Sequence, residues 1–199
     1  MPIAGTSEFL LLASLLFAVF KGPKLNAQLR TVYLIAIVST FVAATMGVFR
    51  YLELADTIAW HSAFSFASKH LGMALFISIA LLTITTTKQE KKPIYILLSI
   101  GLVSVVVNLI TSFEMLSDAI IALLLAYGIY LKRKYPSIAI QLSVATVIIL
   151  STLAWGAIVH NPDIRLGIFH LCLSLFIFLF IQGISQSNLR ENANQTVTP

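Results

Sequence analysis

Long apolar runs, separated by short gaps whose basic charges favour alternate positions, constrain this chain more than anything else in it. The runs are Phe9–Phe20, Thr31–Phe49, Phe64–Thr87, Ile94–Ser112, Met115–Leu131, Ile138–Val159 and Ile164–Ile184. An α-helix needs about 20 apolar residues to cross a hydrocarbon core of about 30 Å, so these runs read as seven membrane spans. Lys21, Lys24 and Arg30 fill the first gap, Lys88, Lys91 and Lys92 the third, and Lys132, Arg133 and Lys134 the fifth. Arg50 and Arg165 are the strong bases at the other gaps. Basic loops stay in the cytoplasm, which sets the N-terminus outside and the C-terminus in the cytoplasm.

Composition agrees. Of the 199 residues 58% are hydrophobic and 11% are charged, where a soluble domain carries about 25%. The expected fold class is therefore all-α, a polytopic seven-helix transmembrane bundle over residues 1–186. The polar stretch 187–199, rich in Asn, Gln and Thr, is expected to be a disordered cytoplasmic tail. The first run lacks the basic flank of a signal peptide and reads as a retained helix. The formal net charge of +5 belongs to topology and anionic lipid, not to nucleic acid. Cys172 is the single cysteine, so an intrachain disulfide and a cysteine-built metal centre are both excluded. The seventh run has no lysine to form a retinal Schiff base, and no P-loop, GxGxxG or HExxH motif is present. The bilayer is the expected partner, and a bacterial inner (plasma) membrane the expected location.

Polar side chains inside apolar spans mark the interior of such a bundle. Measured along the helix from the cytoplasmic ends, Asp118, His170 and Asn108 each lie roughly 20 Å deep, and Glu8 roughly 18 Å. Four helices thus bring a polar group to one level in the outer half. Arg50, Lys69, His70 and Glu114 fall slightly higher. Steps of three and four residues return to one helix face. They group Gly101, Ser104 and Asn108, Glu114 with Asp118, and Asp163, Gly167, His170 and Ser174. On the third helix His61, Ser65, Ser68 and Lys69 share a broad face, and His70 points away from it.

The pattern predicts an outward-facing polar pocket built from Glu8, Arg50, Lys69, Asn108, Glu114, Asp118 and His170. Such a pocket suits a small-molecule or ion ligand, bound or transported, with proton coupling through the carboxyl groups or His170. His61 reads as a rim residue. An alternative is an intramembrane metal-dependent hydrolase acting on a lipid. There His70, His170 and Asp118, or Glu8, supply three protein ligands and leave one position for water.

Overall fold

The computed structural model describes residues 3–52, 57–85, 87–111 and 115–197, and the backbone alone at Gly156 and residues 189–197. The described residues form helices, with no strand among them. They are α1 (Ile3–Lys21), α2 (Ala27–Tyr51), α3 (Ile58–Ala67), a π-helical turn (Ser68–Gly72), α4 (Met73–Leu82), α5 (Lys88–Thr111), α6 (Met115–Leu131), α7 (Pro136–Ile158) and α8 (Pro162–Val197). Together α3, the π turn and α4 make one span, Ile58–Leu82. Six helices are long and apolar enough to cross a membrane, and α6 is a shorter apolar helix. The chain is a helical membrane bundle.

Local chemistry sets several boundaries. Asn26 caps α2 through a hydrogen bond from the Leu29 amide at 2.9 Å. Thr87 and Glu90 cap α5 reciprocally, each backbone N–H meeting the other's side-chain oxygen at 3.1 Å. That capping box starts α5 ahead of Pro93. Asn161 accepts from the amides of Asp163 and Ile164 and so begins α8. At its other end α8 runs on to Val197. The tail expected from residue 187 thus begins as a continuation of this helix. Leu189, Arg190, Glu191 and Ala193 are good helix formers, and proline is absent until Pro199.

Neighbouring helices close a ring, α1 on α2, α2 on α4, α4 on α6, α6 on α7, α7 on α8, and α8 back on α1. α5 stands outside it, against α4, α6 and the π turn. Its other faces present Ile96, Ile100, Val103, Leu109 and Ile110 outward, as a lipid-facing helix should. The half of the bundle towards the basic loops is filled by side chains. Phe76, Ile77, Leu81, Leu124, Phe176, Phe180 and Ile181 are buried there, and the Phe76 and Phe180 rings pack 5.8 Å apart. The opposite half is looser. α3 has no buried residue, and α7 buries Ile138, Leu142 and Ala145 but nothing described beyond them.

The candidate site in the outer cavity

α1 and α8 define the deep end of the site. Asp163, in the first turn of α8, accepts from the backbone amides of Ile3 and Ala4 at 3.1 and 3.2 Å. One carboxylate thus caps a neighbouring helix and meets the positive end of its dipole. Gly167, one turn deeper, lies against Ile3 and Ala4, where a Cβ would collide with the Ile3 side chain. This close approach sets Ser7 and Glu8 of α1 beside His170 of α8.

The Ser7 hydroxyl donates to the Ala4 carbonyl at 2.7 Å. Its oxygen is left to accept from His170 Nδ1, 3.1 Å away. With the proton on Nδ1, His170 turns Nε2 towards Glu8, 3.4 Å from Oε1. That contact is attractive only when a proton sits on Nε2 or on the carboxyl group. Glu8 is 1% exposed, and neither of its oxygens accepts a hydrogen bond. Position 47 makes room for it: a Cβ on Gly47 would collide with the Glu8 carboxyl group. The small residues of α2 therefore serve two ends, since Ala43 and Ala44 line the cavity while Gly47 admits Glu8.

A cavity of about 270 Å³ opens beside this pair. Glu8 and His170 line it, joined by Lys69 from the π turn, Asp118 from α6 and His61 from α3. Thr40, Ser65, Ser68 and Thr152 add hydroxyl groups, and Leu11, Ile121, Ile149, Leu150, Leu153 and Phe169 supply apolar wall. The π turn separates two neighbours here. Its widened bond, from the Met73 amide to the Ser68 carbonyl, adds a residue to the turn. Ser68 is buried and bonds Thr40 at 2.6 Å, Lys69 is exposed on the cavity side, and His70 is buried on the other side.

His70 belongs to a second polar cluster, between the π turn, α5 and α6. Its Nδ1 lies 2.9 Å from Ser117 Oγ and 3.1 Å from Asn108 Nδ2. Asn108 also donates to Ser117 at 2.9 Å, and Ser104 stands 3.3 Å from Ser117. The cluster joins three elements through buried polar groups.

Four of the expected pocket residues, Glu8, Lys69, Asp118 and His170, therefore meet at one cavity. Asn108 does not line it, although its depth matches, because α5 stands outside the ring. Arg50 is exposed at the end of α2, its guanidinium 5.4 Å from the Tyr51 ring centre. Glu114 lies outside the described residues. The alternative ligand set is not brought together, since His70 faces α5 and α6 while His170 faces the cavity. Among the described residues no group of three His, Cys, Asp or Glu side chains is placed to hold a metal ion. His61, read from the sequence as a rim residue, lines the cavity along the polar face it shares with Ser65 and Lys69. Comparison with known protein families, curated proteins and solved structures finds no match.

Proposed function

We propose that this integral membrane protein binds a small polar or charged solute in the outer cavity, with a proton held on the Glu8–His170 pair. The observation that carries the reading is convergence. Glu8, Lys69, Asp118 and His170 come from α1, the π turn, α6 and α8 and line one cavity. Ionisable groups are costly within a membrane and collect where they bind ions, substrates or protons. The cavity's 270 Å³ falls just below the range of drug-sized ligand sites, roughly 300 to 1,000 Å³, which suits a small solute. The buried side chains towards the basic loops support access from elsewhere than that half, which suits a binding protein or one state of a transporter. The positive-inside rule makes the opposite half the outer one.

Purified protein in lipid nanodiscs tests the reading. Thermal unfolding is followed while ethylammonium or acetate is titrated as a small cationic or anionic ligand. A saturable rise in Tm with one of them is expected, and its loss in Glu8→Gln. Binding is expected to be accompanied by proton uptake or release, read by calorimetry in buffers of different ionisation enthalpy. No saturable shift with either ion, from these or from longer-chain analogues, would overturn the proposal.

A further inference from the structure

Resting on that reading, we propose that the cavity is built for an amphiphilic amine, with an ammonium head seated at Glu8 and a hydrocarbon chain leaving sideways between helices into the bilayer. Two independent observations carry this. The first concerns the head. Glu8 is buried to 1% exposure at the cavity wall, and its carboxyl oxygens have no hydrogen-bond partner, His170 Nε2 standing 3.4 Å from Oε1 and nothing meeting Oε2. Asp118 adds a second carboxyl group to the same cavity. Lys69, exposed on the π turn, gives the cavity a cation of its own, and it is at the Glu8 oxygens that hydrogen-bond donors are lacking. A primary ammonium brings three N–H donors and a positive charge, whereas a carboxylate head would bring only further lone pairs. Buried polar groups without partners are costly, so the head that supplies donors gains most.

The second concerns the mouth. Residues that line the cavity and are also exposed must stand at its opening. These are Lys69 on the π turn and, on α7 and α8, Leu150, Leu153 and Phe169, at 36%, 59% and 39% exposure. The three on α7 and α8 are large and apolar, a poor rim for a water-filled vestibule and a good one for a lipid chain. Trp155, at 41% exposure, sits just above them on α7, and tryptophan favours the membrane–water boundary. Leu150 lies roughly 7 Å deeper along the helix than Trp155. The apolar rim is therefore at the level of the acyl chains. The gap exists because α3 packs chiefly on α2 and the π turn, while α7 buries nothing described beyond Ala145.

Photoaffinity labelling in nanodiscs tests this, with decylamine carrying a diazirine near its chain end. Label is expected on the α7 and α8 peptides that hold Leu150, Leu153 and Phe169. Unlabelled decylamine should compete at concentrations about tenfold or more below decanoate, the margin of one charge-assisted hydrogen bond. Glu8→Gln should weaken labelling to a similar degree. Leu153→Trp, which narrows the mouth without touching the acidic end, should also reduce it, so the idea does not depend on one variant staying folded. Equal competition by decanoate would overturn the choice of head. Equal competition by ethylammonium would overturn the lateral chain while leaving the charged-solute reading intact. If neither length of amine or carboxylate binds, the charged-solute reading itself falls.

Discussion

Glu8 and Gly47 occupy one volume between them. The Glu8 carboxyl group fills the space that a Cβ at position 47 would need. Gly47→Ala is therefore expected to push the Glu8 carboxyl group towards the cavity, at a cost of about 1 kcal/mol because the colliding atoms are the end of a flexible side chain. Thermal unfolding in nanodiscs measures this. The same substitution made in a Glu8→Ala background should cost much less, because the colliding group is gone. Equal cost in both backgrounds would mean that the two residues do not share the space. Ser7 acts on the same pair through His170. Ser7→Ala removes the acceptor for Nδ1 and should cost about 0.6 kcal/mol, an average value for a hydrogen bond inside a membrane protein. It frees the imidazole to turn, so ligand binding should fall by more than stability does. The depths of Glu8 and His170 were legible from the apolar runs alone, because helix rise is constant. Their contact was not, since it depends on Asp163 and Gly167 drawing α1 against α8.

Among the helices, α8 caps α1 through a single side chain. Asp163→Ala removes two hydrogen bonds from the α1 N-terminus and should cost about 0.5–2 kcal/mol, the range of a lost helix cap. Asp163→Asn keeps an acceptor and should lose less, and thermal unfolding of the two variants separates the effects. Helix existence could be read from hydropathy, because lipid leaves the backbone no alternative to internal hydrogen bonding. Which face of each helix looks inward was harder. Along α5 the stripe of Gly101, Ser104 and Asn108 does face protein, but the protein it meets is α6 and the π turn, not the cavity. Periodicity reports that a face is buried and cannot say against what. The π turn leaves no clear mark in the sequence, and it is the device that parts Lys69 from His70. The Thr87–Glu90 capping box, of the pattern T-x-x-E, starts α5 ahead of Pro93.

For the molecule as a whole, the charge pattern and the cavity make one joint prediction about sidedness. In a Cys172→Ser background, Asn161→Cys is expected to react with a membrane-impermeant maleimide added to intact cells. Lys134→Cys is expected to react only after the membrane is opened. The reverse pattern would invert the bundle and turn the cavity towards the cytoplasm. Ring closure through α1 and α8 also constrains the order in which the protein can be made. Glu8 leaves the ribosome early in synthesis, yet its imidazole neighbour and the cap on its helix both belong to the last span. Until that span arrives, Glu8 has the space that Gly47 leaves for it but no imidazole beside it. Completion of the final helix is thus the step that gives Glu8 its imidazole neighbour and the first helix its cap, so the ring closes only when the last span is in place.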